Sequence, residues 1–178
     1  MTKVMNSSGL LLLVLSLLTG CSRSEPSAHR GSAGGTGASD AAYLLTEKPA
    51  EAQGVAAVRK ADANAEEIVV EGRIGGSEKP FVDGIAAFTI VDPSIPYCGQ
   101  HDDEKCPTPW DYCCNTDKLK DNSALIKIVG ADGTPVSKDA RELLGVKELA
   151  RVIVRGKAQR DEQGNLTVLV EKVHIAKE

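Results

Sequence analysis

The chain has 178 residues with 21 Lys+Arg against 25 Asp+Glu, a formal net charge of −4. Too short for two large domains and without a basic excess, it argues against a protein whose affinity comes from neutralising phosphates. Aromatics are only 3 %, so branched aliphatics must fill any core. A single apolar run, near residue 10, excludes a multi-span membrane protein.

Lys3 supplies the one positive charge ahead of that run. Gly9-Leu10-Leu11-Leu12-Leu13-Val14-Leu15-Ser16-Leu17-Leu18 then follows, long enough for a signal peptide and too short to span a bilayer. The segment closes with Leu18-Thr19-Gly20-Cys21. It resembles the lipobox of bacterial lipoproteins. The resemblance implies a signal peptide over 1–20, lipidation of Cys21 and removal of the first twenty residues. Acyl chains (palmitate among them) would add ~0.8 kcal/mol per buried methylene and anchor the chain in a membrane. Ser22, where a sorting signal would carry Asp, implies the bacterial outer membrane, facing the periplasm. In that oxidising space disulfides persist.

Residues 21–65 read as a flexible low-complexity tether. Gly31-Ser32-Ala33-Gly34-Gly35-Thr36-Gly37 cannot bury enough apolar area to offset its ordering entropy. The Ala-rich part, around residues 52–60, is balanced between a weak helix and continued coil. His29 lies in the tether and has no assignable role.

From Glu66 the periodicity becomes two. Ile68, Val70, Gly72 and Ile74 share one face of a first strand; a glycine there marks a bulge or barrel corner. Residues 85–91 are apolar on both faces, as in a central strand, and Asp92-Pro93 stops them. A third strand is expected over 124–129. Asp139 and Glu142 have capping-box spacing, and Leu143, Leu144, Val146 and Leu149 give a short helix an apolar side. Residues 152–158 and 166–175 are the last strands, joined by a turn over 161–165, with His174 expected on the solvated face. The expected fold is all-β with one short helix, in the order strand-strand-strand-helix-strand-strand. That order resembles the OB fold, a five-stranded barrel. So do Gly72 within Val70-Glu71-Gly72-Arg73-Ile74, the ending Phe88-Thr89-Ile90-Val91-Asp92, and Val154-Arg155-Gly156. The domain spans 66–178, with a cysteine-rich loop over 92–123 in place of a short hairpin.

That loop holds Cys98, His101, Cys106, Trp110, Cys113 and Cys114. Loops of such length usually carry function or are disordered, and its cysteines and prolines oppose disorder. Three readings compete. With Cys21 lipidated, Cys98, Cys106, Cys113 and Cys114 are even in number and can form two disulfides, worth ~2–4 kcal/mol. Alternatively Cys98-x-x-His101 with Cys106 and Cys113 or Cys114 offers thiolate and imidazole donors for Zn²⁺ or Cu⁺. A thiol redox centre is the third, without a Cys-x-x-Cys motif to support it. The carboxylates Asp102, Asp103, Glu104 and Asp111 are read as keeping the loop soluble.

No phosphate loop, nucleophile elbow or His-Glu-x-x-His is present, so no catalytic residue is assigned and an enzyme is not expected. The leading expectation is a lipid-anchored envelope protein with an OB-like binding module. An envelope protein, a glycan or, by fold analogy alone, a nucleic acid is the ligand. Trp110, Arg151, Arg155 and Lys157 are its candidate binding residues, with Arg160 extending the basic stretch. No cofactor other than Zn or Cu is implied. The alternative is a metal-binding or thiol-redox lipoprotein working through Cys98, His101, Cys106, Cys113 and Cys114.

Overall fold

A computed structural model describes residues 40–61, 64, 66–101 and 105–177. The expected signal peptide, Cys21, the first part of the tether and Asp102, Asp103 and Glu104 lie outside the described residues. In chain order the elements are β1 (Gln53–Gly54), α1 (Val55–Lys60), β2 (Glu67–Ile74), β3 (Phe81–Val82), β4 (Ala87–Val91), α2 (Thr116–Asn122), β5 (Ser123–Ile128), α3 (Ala140–Leu144), β6 (Arg151–Arg160) and β7 (Leu166–Ile175).

Five of these strands close on themselves. β2 pairs antiparallel with both β4 and β6. β4 pairs antiparallel with β5, and β6 with β7, while β5 and β7 run parallel and complete the ring. This is the expected OB-like barrel. Its interior is aliphatic but for Phe88, as the scarcity of aromatics requires: Val70, Ile74, Phe88, Ile90, Ile126, Ile128, Val152, Val154, Val168, Val170 and Val173 are buried together. Gly72 belongs to this inner face. A Cβ there would stand 2.7 Å from Ile90 Cδ1, so the glycine lets β2 approach β4 at the barrel's closure.

The helix between the third and fourth barrel strands is α3. Asp139 caps it, accepting from the Arg141 amide at 2.8 Å, and Gly145 ends it with φ 68°. Arg141, rather than Glu142, supplies the cap's second contact, donating from Nη2 at 2.7 Å.

Two departures from the sequence expectation matter. First, described residues before Glu66 belong to the fold. Val55 and Val58 of α1 are buried in the core, β1 adds parallel to β2, and Leu44 bridges Val173. The expected tether boundary at 65 is therefore corrected for residues 40–61. The anchor is Asp92, which is 5 % exposed and accepts from the Ala56 amide at 2.8 Å; a Cβ on Gly54 would collide with its carboxylate. Second, β7 does not alternate throughout. Arg155 pairs with Lys172 but Gly156 with Val170, so Glu171 bulges out. The slip brings Val173 inward and turns His174 to the outer face, where it is half-buried, its Nδ1 3.2 Å from the Leu45 carbonyl. No helix among the described residues is long and apolar enough to cross a membrane.

Candidate metal centre

The long connection from β4 to β5 is docked on the barrel by its backbone and its aromatics. The Gly76 amide donates to the Trp110 carbonyl at 2.8 Å, and Trp110 Nε1 donates to the Glu78 carbonyl at 3.1 Å. Trp110 is half-buried, held against the turn after β2. Gly75 is required there: a Cβ would lie 2.5 Å from the Trp110 carbonyl oxygen and 2.8 Å from Tyr112 Cε2. Tyr112 is the largest wholly buried side chain of the loop. Its hydroxyl has no hydrogen-bond partner among the described residues. Burial pushes the phenol up to about 12, with Arg73 opposing and Tyr97 and Cys98 adding to the shift. Tyr112 also adopts φ 58°, a left-handed reversal between two short 3₁₀ turns, Pro109–Asp111 and Cys113–Asn115. While its ring is buried against Gly75, just after β2, its two neighbours in sequence face one common point.

At that point Cys98, Cys106, Asp111 and Cys113 bring one ligand atom each within 4.8 Å of one another. Cys98 Sγ lies 3.2 Å from Cys113 Sγ, and Cys113 Sγ lies 3.9 Å from both Cys106 Sγ and Cys114 Sγ. The Asp111 carboxylate stands 3.9 Å from Cys98 Sγ and accepts from the Cys113 amide and the Thr108 hydroxyl, both at 2.8 Å. Sulfurs bound tetrahedrally to zinc at ~2.3 Å stand ~3.8 Å apart, so the spacing suits one ion among these donors.

The electrostatics favour a thiolate at Cys98. Burial opposes its ionisation. Hydrogen bonds from the Cys114 amide and from the Cys113, Cys114 and Cys106 thiols outweigh that and hold its pKa below the usual thiol range. The Cys113 thiol is pushed up in turn, chiefly because its proton serves Cys98 and then Cys114. Asp111 is likewise held low. Burial works against it, but the Cys113 amide, the Thr108 hydroxyl and the two thiols prevail. The shifts at Cys98 and Asp111 both run toward the ionised forms that a metal ion requires of its ligands, and binding an ion would release the remaining thiol protons.

The expected disulfides are not present: among the described residues no sulfur pair approaches the ~2.05 Å of a bond. His101 is corrected as a ligand too. The Gln100 amide donates to the Tyr97 carbonyl at 3.1 Å, and Gly99 takes φ 78°. That turn leaves His101 exposed and outside the ligand group. Cys114 stands beside the group, not within it. Asp111, read from sequence as a solubilising charge, is the donor that was missed; its place two residues before Cys113 carried no recognisable ligand spacing.

The basic candidates lie elsewhere. Arg151 pairs with Glu71 on the neighbouring strand, and Arg155 Nε lies 4.0 Å from Glu67. Arg160 Nη2 donates to the carbonyls of Val58 and Arg59 and so closes the end of α1. Arg155 and Lys157 line a cleft of about 780 Å³ with Lys48, Lys172, Glu47, Glu67 and Glu171, to which Trp110 does not belong. No protein-family model matches the chain, and a search of curated proteins finds no match either.

Proposed function

We propose that the chain is a lipid-anchored protein of the bacterial envelope whose OB-like barrel displays a thiol-rich site for a thiophilic metal ion, Zn²⁺ or Cu⁺, and that it acts by binding rather than by catalysis. One observation carries this: three sulfurs and a carboxylate from residues 98–113 converge within 4.8 Å on a loop already docked to the barrel. Soft thiolates select Cu⁺ or Zn²⁺ over hard cations such as Mg²⁺ or Ca²⁺. The anchor is supported by the apolar run ending at Cys21, and the outer-membrane location by Ser22. Titration of the reduced protein with Zn²⁺ or, without oxygen, Cu⁺ tests the site. One equivalent bound by the wild type and none by Cys98→Ser is the expected result; equal binding by both defeats it. Incorporation of labelled palmitate, lost in Cys21→Ala, tests the anchor.

A second reading is favoured by the cleft beside β6 and β7. Lys48, Arg155, Lys157 and Lys172 face three carboxylates there. Such mixed charge suits a glycan or a protein segment better than a nucleic acid backbone. Binding of envelope glycan that is lost in Arg155→Glu/Lys157→Glu supports it, and salt-sensitive binding to single-stranded DNA would redirect it to nucleic acid.

A further inference from the structure

Two features of the cysteine loop bear on what becomes of an ion bound there. The first is that no sulfur is needed to hold the loop in place. Besides the bonds from Gly76 and Trp110, the Asp92 amide donates to the Asn122 carbonyl at 2.8 Å and Asn115 Nδ2 donates to the Pro96 carbonyl at 3.2 Å. The buried Tyr112 ring fixes the middle. Structural zinc sites organise segments that cannot fold without metal; this segment has its own anchors.

The second is a gradient of depth across the donors. Cys98 is buried, Cys106 and Asp111 are half-buried, and Cys113 is exposed. Beyond Cys113 stands a further thiol, Cys114, exposed, 3.9 Å from Cys113 Sγ and within hydrogen-bond reach of Cys98. A closed structural site has no use for a spare donor at its solvent edge. An ion that must be passed on does, because soft d¹⁰ ions move by adding the incoming ligand before the outgoing one leaves.

We propose that this centre is an exchangeable carrier site for a thiophilic ion, with Cys114 as the ligand through which the ion enters and leaves; this rests on the metal-binding reading above. In the exit step the Cys114 thiol gives its proton to solvent as its sulfur bonds the ion. The bond from the ion to Asp111, the hardest donor of the set, breaks, and the carboxylate keeps its hydrogen bonds to the Cys113 amide and the Thr108 hydroxyl. The ion keeps its oxidation state throughout. An acceptor offering thiolate or imidazole then adds on the exposed side; the bonds to Cys98 and Cys106 break, those to Cys113 and Cys114 break last, and the thiolates left behind take protons back from solvent.

The test uses the full chain, purified in detergent and reduced, loaded with one equivalent of Zn²⁺ or of Cu⁺. Transfer to a chromophoric chelator is followed by stopped flow, and the fold by far-UV circular dichroism and Trp110 fluorescence. Expected results are an apo protein with its fold intact and transfer that quickens with chelator concentration. Cys114→Ser and Cys114→Ala should still load one ion and release it severalfold more slowly. The ion that shows this behaviour is the cargo. Unfolding of the apo loop, transfer independent of chelator concentration, or release from both variants at the wild-type rate would overturn the carrier proposal. Failure of the wild type to load either ion would instead defeat the metal-binding reading itself.

Discussion

Replacing Tyr112 by Phe removes one oxygen from the side chain that the cysteine loop buries against Gly75. The ring is 0 % exposed and the hydroxyl has no partner among the described residues. An unpaired buried hydroxyl costs ~1–3 kcal/mol, so at pH 8 Tyr112→Phe should be as stable as the wild type or more stable by up to that amount. Alkaline pH sharpens the comparison. Burial raises the phenol from 10 in the unfolded chain to about 12 in the fold. A pKa raised by folding means that the fold favours the protonated form. That stability is complete below pH 10 and is lost as pH climbs through 12. A shift of this size corresponds to ~2.7 kcal/mol. Urea unfolding of both proteins under reducing conditions, between pH 8 and 12, measures the difference, with equal m-values confirming a common unfolded state. The wild type should lose ~2–3 kcal/mol more than the variant across the alkaline range. An alkaline loss of equal size in both, or a variant destabilised at pH 8, would refute the reasoning.

Other substitutions probe the supports of the site. Gly156→Ala places a methyl against the Leu169 carbonyl at the β6–β7 bulge, where only backbone can yield. A loss of ~1–3 kcal/mol or more is expected in thermal unfolding. Gly75→Ala presses on the Trp110 carbonyl and the Tyr112 ring. It should cost ~1–3 kcal/mol and weaken metal binding as the loop lifts, whereas unchanged affinity would mean that docking does not set the ligand geometry. Asp92→Ala leaves the Ala56 amide and the Ser94 amide and hydroxyl without their acceptor. It should cost ~1–3 kcal/mol and open residues 53–61 to protease, read as a new early cleavage.

What the sequence revealed and what it hid divide along the length scale of the cause. Ile68, Val70, Gly72 and Ile74 announce the barrel because alternation is local, and the inner face of β2 is the one that pattern selects. Asp139 before Leu143 and Leu144 likewise places α3. The bulge at Glu171 was hidden, since it exists only in the pairing of β7 with β6; it is what turns Val173 inward and His174 outward, where Leu45 half-covers the imidazole. The start of the folded unit was hidden for a different reason. Val55 and Val58 are two apolar residues in an Ala-rich stretch, and their docking depends on Asp92, 36 residues away from Ala56. In the loop, composition pointed to the right segment but spacing pointed to the wrong donor. Cys98-x-x-His101 suggests a ligand pair, yet the turn at Gly99 sends the imidazole to solvent. Asp111 joins the sulfurs only because Tyr112 reverses the chain beside it, and backbone handedness at a non-glycine residue is not written in a residue pattern.

Intact mass of the full chain under native conditions, before and after alkylation of the denatured protein, tests the central claim most directly. The account predicts one thiophilic ion per chain and four alkylated loop cysteines once the ion is stripped. A metal-free chain, lighter by the hydrogens of two disulfides and refractory to alkylation, would contradict it.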